Sequence, residues 1–146
     1  MNLVVGFGNP LRSDDGLGSV VATGAGRRLD VDVLTPQQLL PEHTDVLRRA
    51  RSVVFVDAST GVDAPGHVTC TALQPAERPG LGHVITPADL LGLTRLAYGT
   101  APTAWLITVA GERFELGTQL SPAVLAAVPT VITLVETILT QPVAPE

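Results

Sequence analysis

Near its start the chain reads Leu3-Val-Val-Gly-Phe-Gly-Asn-Pro-Leu-Arg-Ser-Asp-Asp-Gly-Leu-Gly18. The apolar run at its beginning predicts a short buried strand. Gly6 and Gly8, followed by Asn-Pro, then predict a tight turn. Ser-Asp is a favourable pair for starting a helix, and apolar residues recur afterwards at helical spacing. The stretch therefore predicts a strand, a glycine turn and a helix whose first turn carries two adjacent carboxylates, Asp14 and Asp15.

The glycine spacing also resembles a dinucleotide-binding fingerprint, with Asp30 and Asp32 downstream at a plausible ribose distance. Two features argue against that interpretation. Leu11 stands where the third glycine is required. In addition, a pyrophosphate needs the positive end of the helix free, and Asp14 and Asp15 already occupy it. Carboxylates at this place would attract a cation, although they could also serve only to cap the helix.

The composition limits the fold and the partners. The 146 residues suffice for one domain, expected to span residues 1–146, and the low aromatic content of 3% predicts an aliphatic core. The formal net charge is −5 and no basic run is present, so nucleic acid is not an expected partner. The single cysteine, Cys70, excludes an internal disulfide and a cysteine-based zinc site. Its place in an apolar strand pattern predicts core packing rather than a reactive thiolate.

The termini bear on cellular location. No export signal precedes the first strand, and a single cysteine fits a reducing compartment, so a cytoplasmic location is expected. The apolar segment Leu120–Leu139 raises the question of membrane insertion. Pro122, Pro129 and Glu136 interrupt it, which favours a packed amphipathic helix, and no membrane association is expected.

Strand and helix signals alternate along the rest of the chain. This alternation predicts an α/β protein: a single-domain, three-layer fold with a twisted, mainly parallel sheet of about five strands and helices on both faces. The further strands are expected at Val31–Leu34, Ser52–Asp57, Gly66–Leu73 and Ala104–Val109. The third of these is expected at a sheet edge if Asp63-Ala-Pro-Gly66 makes a tight turn. The helices are expected at about Asp14–Arg28, from Thr35-Pro36, from Thr86-Pro87 to Tyr98, and from Pro122 with Ser121 as its cap. In the second of these, Pro41 is an alternative point at which the helix breaks or restarts.

Functional groups in such sheets collect beyond the carboxyl ends of the strands. Asp15 follows the first strand, Asp57 ends the apolar central strand, and His83 precedes a helix after another strand, so all three can reach one rim. Two carboxylates and an imidazole suit a borderline divalent ion with positions left open for substrate. Each residue alone also has an ordinary structural interpretation, as a turn cap or a loop histidine, and only their convergence favours a site.

Several pieces of the sequence resemble one known family, in the same order along nearly the whole chain. The most specific piece is Gly6-Phe-Gly-Asn-Pro-Leu-Arg-Ser-Asp-Asp-Gly16. The others are Gln38-Leu-Leu-Pro-Glu42, Val54-Phe-Val-Asp-Ala58, Gly82-His83 before Leu90-Leu91, and Leu120-Ser-Pro122. Together they resemble the endopeptidases that mature the large subunit of nickel–iron hydrogenases.

The resemblance implies an endopeptidase that removes the C-terminal extension of the hydrogenase large-subunit precursor after nickel insertion. It also implies that Asp15, Asp57 and His83 contact the metal and carry the catalysis. The signature acid is a glutamate in some members, and Asp14 stays open as the contacting residue, with Asp15 preferred. Nickel is expected to arrive with the precursor, so no permanently bound cofactor is expected.

The resemblance further implies that the loop formed by Gly6, Gly8, Asn9 and Asp14 is approached closely by the substrate backbone, since glycine lacks a Cβ. A monomer acting on its precursor is the default expectation. Three other functions stay open: a chaperone that binds the precursor without cutting it, a nucleotide-binding α/β module, and a conventional zinc hydrolase. The last is disfavoured because no His-Glu-x-x-His helix is present.

Overall fold

A five-stranded sheet forms the centre of the protein. The computed structural model describes residues 1–80, 82 and 84–141. The strands are β1 (Asn2–Gly6), β2 (Asp32–Leu34), β3 (Ser52–Ser59), β4 (Val68–Leu73) and β5 (Thr103–Ala110), in the spatial order β2-β1-β3-β5-β4. All neighbours pair in parallel except β4, which lies antiparallel to β5 at the edge of the sheet. The predicted fold class is confirmed.

Helices cover both faces of the sheet. They are α1 (Leu17–Arg28), α2 (Thr44–Leu47), α3 (Pro87–Tyr98) and α4 (Pro122–Thr140), with 3₁₀ turns at Ser13–Gly16 and Pro41–His43. Side chains of β3 alternate between two apolar clusters, because successive strand residues point to opposite faces. Val54 and Val56 pack with α1 and α4, whereas Val53 and Phe55 pack with α3 and the end of α2.

The sequence signals for α3 are confirmed by its end geometry. Thr86 forms a capping box with Asp89: the Thr86 Oγ1 accepts from the Asp89 N–H, and the Asp89 carboxylate accepts from the Thr86 N–H. Gly99 ends the helix in the left-handed region at φ 80°. Both ends of this helix are therefore fixed by local chemistry.

The helix predicted to begin at Thr35-Pro36 is wrong. The chain stays irregular there and turns helical only at Pro41–His43 and α2. Leu40 is extended, at φ −127° and ψ 154°, because a residue before proline is sterically disfavoured in the helical region. The alternative that the helix restarts at Pro41 is confirmed.

Cys70 also departs from the expectation. It is exposed on β4 rather than packed in the core. The reason is that β4 is one of the two edge strands, where an apolar sequence pattern does not guarantee cover by a helix.

Within the described part of the chain, α4 is the one helix long and apolar enough to cross a membrane, with a mean hydropathy of 1.9. One face of α4 is buried against α1 and the sheet, through Val124, Ala127, Val131, Ile132 and Val135. A core helix of a soluble protein meets the same criterion, so this length and composition alone are weak support for insertion.

Candidate active site

Asp15 and Asp57 converge at the carboxyl edge of the sheet. Asp15 lies in the 3₁₀ turn that follows β1, and Asp57 lies in β3, which continues two residues beyond it to Ser59. The two side chains are near enough that the charge of Asp15 acts on Asp57. The sequence argument for convergence of these two acids therefore agrees with their placement.

Asp57 lies at one end of a polar row across the sheet. Its register partner on β5 is Thr108, whose own partner on β4 is Thr69. Register partners point to the same face, so these three side chains share one face with Phe55, two residues before Asp57. The hydroxyls of Thr69 and Thr108 are hydrogen-bonded to each other. The apolar strands thus become polar where they reach the site.

The carboxyl group of Asp57 holds its proton unusually well. Burial disfavours the charged form, the nearby Asp15 carboxylate disfavours it further, and a hydrogen bond from the Ala58 backbone opposes both effects only in part. Together these raise the pKa of Asp57 from 3.8 to about 7. Such a group is destabilised as an anion at neutral pH, and a cation bound between the two acids would relieve it.

The glycine turn holds the Asp15 side chain. The Asn9 N–H donates to Asp15 Oδ2 at 2.6 Å. Gly8 has φ 135°, and a Cβ on it would lie 2.2 Å from the Asp15 carbonyl oxygen. The loop therefore folds against Asp15 in a way that only glycine permits. The hydrogen bond given by described residues to the Asp15 side chain is thus to Oδ2.

Gly6 has a different reason for being glycine. It is buried, and a Cβ there would lie 1.9 Å from the carbonyl oxygen of Gly18 in α1. The predicted role of Gly6 in admitting a substrate backbone does not fit this packing, because α1 already fills the space. The close approach at Gly6 is between strand and helix.

Asp14, the neighbour of Asp15, points into the protein and is fully buried. Its Oδ1 accepts from the Ser121 N–H at 2.7 Å. Its Oδ2 accepts from the Ser121 hydroxyl at 2.7 Å and from the N–H groups of Glu112 and Arg113 at 2.8 and 2.9 Å. Both oxygens are thus occupied, so the structure does not support Asp14 as a metal contact or as part of a substrate-approach loop.

The hydrogen bonds to Asp14 also decide its charge. Burial tends to raise its pKa, but the bonds from the backbone of Arg113, Ser121 and Glu112 and from the Ser121 hydroxyl outweigh burial, and the pKa lies below 3.8. Asp14 is therefore a buried anion at neutral pH. It lies at the N-terminus of α4, where the helix dipole favours negative charge.

The third predicted ligand, His83, lies outside the described residues. Among residues 1–80, 82 and 84–141 no group of three histidine, cysteine or acidic side chains could hold a metal ion. The assignment of Asp15, Asp57 and His83 as one metal-contacting set stays a prediction. The described part of that set consists of two acids.

A cleft of about 280 Å³ adjoins the Ser13–Gly16 turn. It is lined by Ser13, Arg113 and residues 115–119. Leu116 is 78% exposed there. This loop was missed by sequence reasoning, since its residues carry no motif and only the Leu120-Ser-Pro122 helix start beyond it was recognised.

The fold was compared with known proteins. It matches the hydrogenase maturating endopeptidase HybD from E. coli with a TM-score of 0.77 and 26% identity, over 94% of this chain and 91% of that one. A hydrogenase 2 maturation peptidase from a Thaumarchaeota archaeon matches with a TM-score of 0.72 and 26% identity, over 94% and 97%. The maturation protease HybD from Thermococcus kodakarensis, at 19% identity and a TM-score of 0.74 over 94% and 97%, bears on the fold alone.

No protein-family model and no curated protein matches the chain. The fold and the paired acids define a three-layer α/β protein with an acidic site at the carboxyl edge of its sheet. Within that class, the solved structures confirm the predicted resemblance to the nickel–iron hydrogenase maturation endopeptidases. They confirm with it the predicted class of enzyme, a peptide hydrolase.

Proposed function

We propose that this protein removes the C-terminal extension of a nickel–iron hydrogenase large-subunit precursor, and that it recognises the nickel already held by that precursor. The observation that carries the proposal is the Asp15–Asp57 pair, in which one carboxyl group has a pKa of about 7 because it is buried beside the other. The likeness in fold to named maturation peptidases supplies the substrate class.

The two acids suit recognition of a cation that arrives with the substrate. Asp15 is held through one of its two oxygens by the Asn9 N–H, and Asp57 lies half-buried at the end of a polar row. Binding of a nickel ion between them would displace the proton of Asp57 and replace the repulsion of two carboxylates by attraction to the ion. His83 is proposed as the third contact.

The chemistry follows from position. Asp15, Asp57 and His83 would hold the nickel of the precursor, and the ion would supply a Lewis acid beside the scissile bond, to polarise its carbonyl or activate a water. Precursor lacking nickel would not be held in this way, so cleavage would follow correct metal loading. The protein itself is proposed to carry no permanent cofactor. It is proposed to act in the cytoplasm as a monomer, without membrane association.

The test is incubation of the purified protein with nickel-loaded and nickel-free precursor, with the products resolved by mass. Trimming of the loaded form alone is expected. Equal trimming of both forms would contradict nickel gating, and binding without trimming would identify a chaperone. Asp57→Ala and His83→Ala should each abolish trimming with the circular dichroism spectrum unchanged, whereas Asp15→Glu should retain it, because the family resemblance includes a glutamate at this position.

A further inference from the structure

We infer that Asp14 is a positioning residue for Asp15: it holds the short 3₁₀ turn so that the neighbouring acid faces the site. This inference rests on the proposed function for its catalytic consequence. Its structural basis is the contrast between two adjacent carboxylates, of which Asp14 is fully buried and Asp15 is partly exposed.

The geometry of the turn links the two side chains. In a 3₁₀ turn, successive residues are rotated by about 120° around the axis, at three residues per turn. When Asp14 is fixed inward by hydrogen bonds to both of its oxygens, Asp15 must point well away from it. The Ser13–Gly16 turn is four residues long and runs directly into α1, so its C-terminal end is held by that helix. Its start is held by the contacts of Ser13 and Asp14.

Contacts on the preceding residue reinforce the same arrangement. Ser13 has φ 51°, a left-handed conformation that a serine adopts at a cost. Its N–H donates to the Gly117 carbonyl at 2.8 Å and its hydroxyl donates to the Glu115 carbonyl at 2.8 Å. The Asp14 N–H donates to the Arg113 carbonyl at 3.0 Å. The turn is therefore held against the β5–α4 loop by backbone and side chain together.

On its other side the turn has a single described side-chain tie, the bond from Asn9 N–H to Asp15 Oδ2. The direction of Asp15 is thus set from the Asp14 side, and the Asn9 bond depends on that direction. If Asp14 lost its anchor, Asp15 would rotate, the Asn9 bond would break, and the acid would leave its place beside Asp57.

The experiment uses Asp14→Asn, which keeps the shape and removes the charge, and Ser121→Ala, which removes one donor. Ser121→Thr keeps the hydroxyl and serves as the conservative variant. Val135→Ala serves as a stability control, since Val135 is fully buried in α4 about 21 Å along the helix axis from Ser121. All are assayed on nickel-loaded precursor well below their melting temperatures.

We expect Asp14→Asn to lower kcat at least tenfold with KM within twofold, and Ser121→Ala to lower kcat severalfold, with Ser121→Thr restoring it. Val135→Ala should lower the melting temperature without changing kcat. If Asp14→Asn does not fold, the comparison of kcat between Ser121→Ala and Ser121→Thr tests the inference instead. A kcat that follows only stability, falling equally in Val135→Ala, would overturn the inference.

A second readout does not depend on the proposed function. The Asn9 amide proton, bonded to a carboxylate in the native protein, should show slow hydrogen exchange and a downfield shift by NMR. Asp14→Asn or Ser121→Ala should remove both, and Val135→Ala should keep them. If the native protein trims no precursor but this pattern appears, the proposed function fails and the positioning role stands. An unchanged Asn9 signal in the folded Asp14→Asn or Ser121→Ala protein would overturn the positioning role.

Discussion

Asp14 accepts two hydrogen bonds from Ser121, one from its N–H and one from its hydroxyl, both at 2.7 Å. The contact joins the turn after the first strand to the start of the last helix, and it gives two neighbouring acids opposite surroundings. Asp14 is a hydrogen-bonded buried anion, whereas Asp15 repels the charge of Asp57 at a partly open edge. A stabilising acid is thus placed next to an acid suited to binding a cation.

The buried charge of Asp14 should contribute strongly to stability at neutral pH. Its pKa is lower in the folded protein than unfolded, so this contribution is present above the unfolded value of 3.8 and is lost as pH falls through the folded value. We expect Asp14→Asn to lower the free energy of unfolding by roughly 3–5 kcal/mol at pH 7, because hydrogen bonds to a buried carboxylate are lost. Urea unfolding at pH 7 and in acid measures it.

The matched control for this change is Asp32→Asn, at an exposed position on the edge strand β2. It should change stability by no more than about 0.5 kcal/mol. Equal effects of the two substitutions at pH 7 would contradict an anchoring role for Asp14. If the difference in unfolding free energy between the two variants stayed constant into strong acid, the contribution of Asp14 would not come from its charge.

The pKa shift of Asp57 should change the pH dependence of stability in the opposite direction. Its pKa rises from 3.8 to about 7 on folding, so the folded protein binds the proton more tightly and loses stability as pH rises from 3.8 to 7. This rise in pKa lowers the free energy of unfolding by at most about 4 kcal/mol, and the whole loss is present above pH 7. We therefore expect Asp57→Asn to stabilise the metal-free protein at pH 8, with the gain shrinking steadily toward pH 4.

Urea unfolding across this pH range measures the gain, and Asp15→Asn provides the companion test. Removing the neighbouring charge should lower the pKa of Asp57, observed by NMR of its carboxyl carbon. Burial would still keep the value above 3.8, since burial is the larger cause. A pKa for Asp57 that is unchanged in Asp15→Asn would show that the two acids do not interact.

The sequence predicted the fold because its signals are local. A continuous apolar run marks β3 as a strand buried on both faces, and Thr86 and Gly99 mark the two ends of α3. Asp15 and Asp57 could be placed at one edge because parallel strands deliver their carboxyl ends there. The role of Asp14 could not be predicted in this way, since its partners lie about a hundred residues away. Glu112 and Arg113 belong to a loop with no recognisable pattern, and the sequence marks Ser121 only as a helix cap.

Gly8 provides a test of the turn that holds Asp15. A side chain there would meet the Asp15 carbonyl oxygen at 2.2 Å, in a backbone conformation with φ 135° that suits only glycine. We expect Gly8→Ala to cost about 2 kcal/mol or more and to reduce trimming at least tenfold by displacing Asp15. Thermal unfolding and the precursor assay measure the two effects.

Gly61→Ala is its control, because a Cβ at Gly61 meets nothing within 4 Å. It should leave both stability and trimming close to those of the native protein. Full activity in Gly8→Ala would mean that the turn does not set the position of Asp15.

The cleft beside the Ser13 turn offers a separate test of substrate contact. Leu116 is 78% exposed there, on the loop held by Asp14, and an exposed apolar side chain beside a cleft suits contact with a protein substrate. We expect Leu116→Asp to raise KM about tenfold with kcat unchanged, since it removes apolar contact and adds a charge without touching either acid. Leu96→Asp is the control, because Leu96 is 70% exposed on α3 and lies outside the cleft. Steady-state trimming of nickel-loaded precursor separates the two constants, and equal KM values for the two variants would show that the precursor does not use this loop.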